Sequence, residues 1–138
     1  MDYDRICKDI LNLDKKIRFA AICDDAGETR YGGMREGMSS LLTPEETRKS
    51  VQLAIGRWGL RDALYPKIGK AKYAMAEYEK IKRVSIPLND DYLLLVSMDI
   101  DTDHSSLIYR ILDLIKQWVK MIWCIIFLVE NNVIIISS

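Results

Sequence analysis

The run Leu93-Leu94-Leu95-Val96 limits the fold of this chain more than any other feature. It lies in a short segment that follows the polar turn Asn89-Asp90-Asp91, and it reads as a β-strand. Successive side chains of a strand point to opposite faces of a sheet, so a continuous apolar run has no face to turn to water. The run therefore predicts a central strand in a sheet that is covered on both faces.

A second segment, from Lys15 to Cys23, has the same character. Its alternation predicts one face with Ile17, Phe19, Ala21 and Cys23. The opposite face carries Ala20 and Ile22 and is mostly apolar too. This segment is therefore expected to be another inner strand.

The remaining periodicities complete one α+β domain with the order α-β-β-α-β-β-β-α and a five-stranded antiparallel sheet. The predicted domain covers residues 1–118, and residues 119–138 form an apolar tail. Besides strands 15–23 and 92–100, the predicted elements are helices at 3–13, at 44–64 and around the stripe from Ile108 to Ile122, and strands at 29–34, 72–79 and 81–88. Pro87 lacks a backbone donor and is expected at a sheet margin or an unpaired position.

The clearest local signal is the start of the second helix. Thr43 is placed to cap it, Pro44 suits the first helical position, and Glu46 stands where a capping box has its acid. Between strands one and two, Gly27 is expected to take a positive φ in a tight turn.

Composition excludes several classes of function. The 138 residues carry 20 basic and 20 acidic side chains, so no field attracts nucleic acid. Cysteines 7, 23 and 124 have no paired spacing, which argues against disulfides and a zinc site and favours a cytoplasmic protein. Cys7 and Cys23 are interpreted as small buried apolar residues.

No catalytic, metal or cofactor set emerges, and the chain is predicted not to be an enzyme. The segment Asp99 to Asp103 begins like a calcium loop, but its sixth and twelfth positions are His104 and Arg110. Asp103 or Ser105 is expected to cap the last helix instead. His104 has no second histidine beside it and is interpreted as surface. An enzyme with a dispersed active site is a weaker alternative.

The segment GGMREGM, residues 32–38, has two interpretations. As a ligand-binding loop it would use Gly32, Gly33 and Arg35 to hold an anion, which makes a small-ligand sensor the alternative function. Its spacing fits no phosphate motif, so a structural role is favoured. Gly32 and Gly33 would permit a bulge or close backbone packing, and Gly37 a positive φ.

The second helix is apolar on two sides. Its expected contact with the sheet is the stripe Val51, Ala54, Ile55 and Trp58. A second stripe, nearly opposite and flanked by arginines, consists of Leu53, Leu60 and Leu64 with Arg57 and Arg61. Such a patch predicts a surface for a second copy or a partner protein. The alternative is that other segments of the same chain cover it.

The tail contains Met121 to Val129, nine apolar residues, and a second apolar run from Val133 to Ile136. Nine residues are too few to cross a bilayer, which needs about 20 in a helix. Three interpretations stay open. The tail is a longer helix or a hairpin turning at Asn131-Asn132, an anchor to a membrane or partner, or sequence unrelated to the domain.

Four segments in order carry a family resemblance: KIRFAAICDDAG (15–26), GGMREGM (32–38), IGKAKYAMAEYEK (68–80) and SIPLNDDYLLLVS (85–97). With the element order, they resemble the roadblock and dynein light chain family, which has a profilin-like or longin-like sheet. Within these segments the amino-acid sequence more closely resembles uncharacterised small proteins of ammonia-oxidising archaea. The resemblance implies a homodimer formed through helix 2 and strand three, and a scaffold or a regulator of small GTPases.

Overall fold

The computed structural model describes residues 2–131. Within that range the chain forms a five-stranded antiparallel sheet with helices on both faces, as the sequence predicts. The elements are α1 (Tyr3–Leu11), β1 (Ile17–Cys23), β2 (Thr29–Met34), α2 (Pro44–Asp62), α3 (Tyr65–Ile68), β3 (Ala74–Glu77), β4 (Ile81–Pro87), β5 (Leu93–Asp99) and α4 (His104–Glu130).

The strand order across the sheet is β2-β1-β5-β4-β3, so β5 is central and β1 is an inner strand, as predicted. The apolar run of β5 pairs with β1 on one side and β4 on the other, through Val96 opposite both Ala20 and Val84. Pro87 ends β4 opposite Leu93 of β5 and beyond the last residue that β3 pairs, so it lies at a margin of the sheet, as predicted.

Each face of the sheet carries its own core. On one face α1 and α4 contribute Ile6, Ile10, Leu107, Ile108 and Ile111, all buried. On the other face α2 lies alone. Val51 and Trp58 are buried against β1 and β5, with Ala54 and Ile55 packed beside them, so the predicted inner stripe is confirmed. Since both faces of β5 are apolar, neither helical layer is dispensable.

The predicted sheet face of Ile17 was wrong. Ile17 does not share the face of Phe19 and Cys23, because it packs with Ala20 and Ile22 in the core under α1 and α4. The pairing of β1 with β5 shifts register between Ile17 and Phe19. Such an irregularity interrupts the strict alternation of side chains, and simple alternation along the sequence cannot reveal it.

Several element boundaries also differ from prediction, among them those of α2 and β3. α2 ends at Asp62, and a separate short helix, α3, follows and contains Pro66. A proline is tolerated in the first turn of a helix, where its missing donor is not needed. β3 covers only Ala74–Glu77 rather than residues 72–79.

The last helix is longer than its apolar stripe suggested. α4 runs without a break from His104 to Glu130, through the junction between residues 118 and 119. As far as Glu130 the tail therefore continues this helix, and its role as an anchor stays a prediction. The hairpin at Asn131-Asn132 and the run Val133 to Ile136 lie outside the described residues. Among residues 2–131, no helix is both long and apolar enough to span a bilayer.

Cys7 and Cys23 are buried, as predicted, whereas Cys124 is exposed on α4. Burial raises the pKa of the Cys7 thiol to about 12, and burial also raises that of Cys23. A thiol whose pKa is raised stays protonated at neutral pH, and the protonated form is a poor nucleophile.

We therefore expect one fast-reacting thiol in the native protein. At pH 8 an aromatic disulfide reagent should label Cys124 within minutes, while Cys7 and Cys23 react only as the protein unfolds. Counting labels by mass spectrometry with and without urea checks this. A Cys124→Ser variant is the control and should show no fast phase. Fast labelling of Cys7 or Cys23 in that variant would contradict the core packing.

Candidate functional site

Helix α2 is fixed at its start by a complete capping box. The Thr43 side chain accepts from the Glu46 amide at 3.1 Å, and the Glu46 carboxylate accepts from the Thr43 amide at 2.9 Å. The bond from the Thr43 amide holds the pKa of the Glu46 carboxyl below its ordinary value. The predicted cap is thus confirmed, and the helix N-terminus is occupied by its own acid.

The rotation of α2 about its axis is set by Trp58. Its indole nitrogen donates to the Ser85 hydroxyl at 2.9 Å, and both residues are buried. The guanidinium of Arg61 lies 5.0 Å from the centre of the Trp58 ring, within the range of a cation–π interaction. With the tryptophan anchored on the sheet, the opposite side of α2 has to face away from the fold.

That opposite side carries the second apolar stripe. Leu53 and Leu60 are 61% and 74% exposed. Leu64, predicted on the same helix, lies beyond the end of α2 at Asp62 and is 53% exposed. Arg57 is exposed beside them and Arg61 is half-buried. Within the described residues, the chain therefore leaves these leucines open to solvent. Their role as a partner surface stays a prediction.

The leucine stripe lies beside a free sheet edge. Among residues 2–131, strand β3 is last in the sheet and pairs only with β4, so one row of its backbone groups has no strand partner there. A groove of about 170 Å³ lies between α2 and β3, with Leu53, Arg57, Met75 and Tyr78 among its lining residues. The predicted helix and the predicted edge strand thus lie next to each other.

The GGMREGM loop makes close internal contacts. Gly32 has φ +78°, and a Cβ there would lie 2.2 Å from the Ala20 carbonyl oxygen and 2.8 Å from Cys7 Sγ. Only glycine lets β2 come this near to β1 and α1. Gly37 also has a positive φ, +82°, but a Cβ there would meet nothing within 4 Å. Gly33, at φ +152°, likewise has open space.

Arg35 is committed to the backbone of its own chain. Its Nε donates to the Ile17 carbonyl at 2.8 Å, and its Nη2 donates to the carbonyls of Leu11 and Asp14. The guanidinium thereby ties the end of β2 to the connection between α1 and β1. An anion site built on Gly32, Gly33 and Arg35 stays a prediction, but it would have to compete with these three acceptors.

The start of α4 uses its polar residues structurally. The Asp103 side chain caps α4 by accepting from the Ser106 amide, one of the two caps that the sequence suggested. Lys82, only 7% exposed, donates to the Thr102 carbonyl at 2.8 Å and lies 2.9 Å from His104 Nδ1. Because of that contact His104 is half-buried rather than plain surface. Residues 2–131 contain no cluster of three or more metal-binding side chains.

One cavity was not anticipated. It has a volume of about 290 Å³ and lies at the loop end of the sheet. Its walls include Asp24, Asp62, Asp90 and Asp91 over a floor that contains Trp58. The lining residues come from separate segments of the chain, so only the strand order brings them together, and no local motif marks them.

The fold has known counterparts among solved structures. A profile described as "Family of unknown function (DUF6659)" matches residues 1–126. That match extends past Ile115, where the sequence resemblance ended, and into the segment 119–138. No curated protein matches the chain.

Among solved structures, the chain is similar to a Roadblock/LC7 domain from Streptomyces avermitilis, with 15% identity and a TM-score of 0.63 over 89% of this chain and 99% of that one. Myxococcus xanthus MglB gives 14% identity and a TM-score of 0.65 over 90% and 97%. Schizosaccharomyces pombe profilin gives 12% and 0.58 over 88% and 98%. These likenesses confirm a roadblock or profilin-like fold. The archaeal resemblance stays a prediction.

Gly32 and Gly37 have nearly the same φ and differ in their surroundings, so they form a matched pair. Gly37→Ala should cost about 1 kcal/mol of unfolding free energy, from backbone strain alone. Gly32→Ala adds the clash with Ala20 and Cys7 and should cost about 3 kcal/mol or more. Urea unfolding of the two variants measures the difference. Equal losses would mean that β2 does not lie this close to α1.

Proposed function

The chain belongs to the DUF6659 family, whose description gives no function, and we propose that it is a non-enzymatic dimerisation module that acts as a scaffold or regulator. The interface is the outer side of α2 together with the edge strand β3. The observation that carries the proposal is the exposure of Leu53 and Leu60 on a helix whose other side is already anchored on the sheet, with exposed Leu64 just beyond the end of that helix.

The exposed stripe is costly unless something covers it. Each leucine side chain that leaves water on association contributes on the order of 1.5–3 kcal/mol. Leu53 and Leu60 lie on one side of α2, and Leu64 lies just beyond the end of the helix. A two-fold axis would bring the same stripe of a second copy against it, because a symmetric dimer uses one patch twice. Arg57 at the margin suits the polar rim of such an interface.

Gly56 supports close contact along the same side. Its spacing places it beside Leu53 and Leu60 on α2, and a Cβ at this position would meet nothing within 4 Å in the single chain. Helices disfavour glycine by about 1 kcal/mol relative to alanine. A glycine at this position suits a partner helix that approaches the backbone closely, since a methyl group would then obstruct it.

A small GTPase is the partner class that we favour for the regulatory role. The support is the family resemblance of the sequence and the likeness of the fold to roadblock domains. One similar structure, 12% identical, is titled "MglB with tetrameric arrangement", which describes that protein as an assembly. For this chain, assembly through α2 and β3 is the part of the proposal that its own surface supports.

The other functions considered from the sequence have less support. A small-ligand sensor at Gly32–Gly37 would need Arg35 to leave its carbonyl partners and the α2 N-terminus to leave its Glu46 cap. A membrane-associated adaptor is a separate proposal, which rests on the end of α4 rather than on α2.

Charge on the leucine stripe should abolish the dimer. We expect the wild-type protein to be a dimer and the double variant Leu53→Glu/Leu60→Glu to be a monomer, because the apolar contact is lost and a two-fold interface would bring the like charges of both copies together. Sedimentation equilibrium measures the mass. Leu41→Glu is the matched control, since Leu41 is 57% exposed in the loop before α2, and it should remain dimeric. A monomeric wild type, or a dimeric double variant, would refute the proposal.

Glycine-to-alanine changes on α2 provide a gentler test. Gly56→Ala and Gly59→Ala should each stabilise the helix by about 1 kcal/mol. Gly59 lies on another side of α2, at the acidic cavity, so its variant should dimerise as the wild type does. Gly56→Ala should weaken the dimer roughly tenfold, because a methyl group would crowd the partner helix. Equal dissociation constants for the two variants would place the contact elsewhere.

A further inference from the structure

The final part of α4 leaves the fold and remains apolar. From Met121 to Val129 all nine residues are apolar, and seven of them are exposed. Among them, Trp123, Phe127 and Val129 are 67%, 63% and 70% exposed. The buried residues of α4, in contrast, all lie in its first part and end with Ile111. An exposed apolar segment of this size is unusual on a soluble domain.

The exposed residues surround the helix rather than forming one stripe. Ile125, Ile126 and Phe127 are consecutive and exposed, and consecutive helical positions are about 100° apart. Asp113, Lys116 and Lys120 recur on one side of α4 at helical spacing, and Cys124 and Phe127 continue that same side. The polar side therefore ends at Lys120.

This arrangement distinguishes between a partner helix and lipid as the environment that covers the segment. A second helix covers about one side of its partner and leaves the rest in water. Hydrocarbon covers every side at once. A helix that is apolar all round is accordingly found in the core of a large protein or in lipid.

Charges bound the segment at both ends. Lys116 and Lys120 are exposed just before it, where ammonium groups attract anionic lipid headgroups. Trp118 and Trp123 lie at the same boundary, and tryptophan favours the interface between water and hydrocarbon. Glu130 follows directly, and a carboxylate is costly deep in a bilayer. Nine helical residues measure about 13.5 Å, less than half of a hydrocarbon core of roughly 30 Å.

We propose that the segment Met121–Val129 inserts obliquely into one leaflet of an anionic membrane, with Lys116 and Lys120 at the headgroups and Glu130 limiting the depth. The insertion is shallow and does not require a helix that crosses the bilayer. It involves none of the residues of the leucine stripe on α2. The membrane contact and the dimer can therefore succeed or fail independently.

Vesicle flotation of the full chain tests the proposal. Wild-type protein should float with phosphatidylcholine vesicles that contain phosphatidylserine, and less with phosphatidylcholine alone. Ile125→Asn/Phe127→Asn should lower the partition coefficient at least tenfold, since two large apolar side chains are replaced. The matched control Leu41→Asn/Ile68→Asn removes two exposed apolar side chains outside both the leucine stripe and this segment, and it should float like the wild type. In the variant Lys116→Gln/Lys120→Gln, each lysine removed should lower the partition coefficient for phosphatidylserine-containing vesicles about fivefold.

A second measurement needs no variant that alters folding. Brominated lipids should quench the tryptophan fluorescence of the wild-type protein, most strongly when the bromine lies near the headgroup end of the lipid acyl chain. The substitution Trp123→Phe should remove most of that quenching. The proposal is overturned if the wild type neither floats nor is quenched, or if Ile125→Asn/Phe127→Asn floats unchanged. It is also overturned if the wild type does not bind vesicles and the variant Ile125→Asn/Phe127→Asn has a lower oligomeric mass than the wild type. In that case a second copy of the chain would cover the segment.

Discussion

The central strand β5 is apolar on both faces, and the rest of the structure follows from the need to cover both. Two helices cover one face, but a single helix, α2, covers the other. A lone covering helix has an outer side that no further layer of the same chain shields within residues 2–131. The sheet therefore determines where the fold is closed and where it is open, before any question of partners arises.

The interactions that hold α2 on the sheet are few and specific. The capping box fixes where the helix begins, and the bond from Trp58 to Ser85 fixes which side faces the strands. The β1–β2 turn adds a further contact, because a Cβ at Gly27 would lie 2.9 Å from the Arg48 carbonyl. The helix thus has little freedom to rotate its leucines inward.

The sequence predicted those features that arise within a short segment. The capping box at Thr43, the apolar runs of β1 and β5, the inner stripe of α2 and the positive φ at Gly27 all depend on neighbours along the chain. The features that it missed depend on pairing between distant segments. The register shift at Ile17 and the acidic cavity exist only once the strands are in order.

The candidate site was predicted unevenly for the same reason. Helical spacing alone placed Leu53 and Leu60 together. The identity of the three acceptors of Arg35, which lie between Leu11 and Ile17, required the tertiary structure. In the sequence, an arginine among glycines suggests an anion site. In the structure, the guanidinium of Arg35 instead contacts backbone carbonyl groups at the connection between α1 and β1.

The pairing of β1 with β5 also has a consequence for how the chain is made. These two strands join the beginning of the domain to a segment near its end, with Ala20 opposite Val96. The β1–β2 hairpin can form early, but the middle of the sheet cannot close until β5 has left the ribosome. The apolar end of α4 emerges only after that. The hydrophobic strands of the core therefore wait for a partner during synthesis, while the exposed helix end appears when the domain is already able to fold.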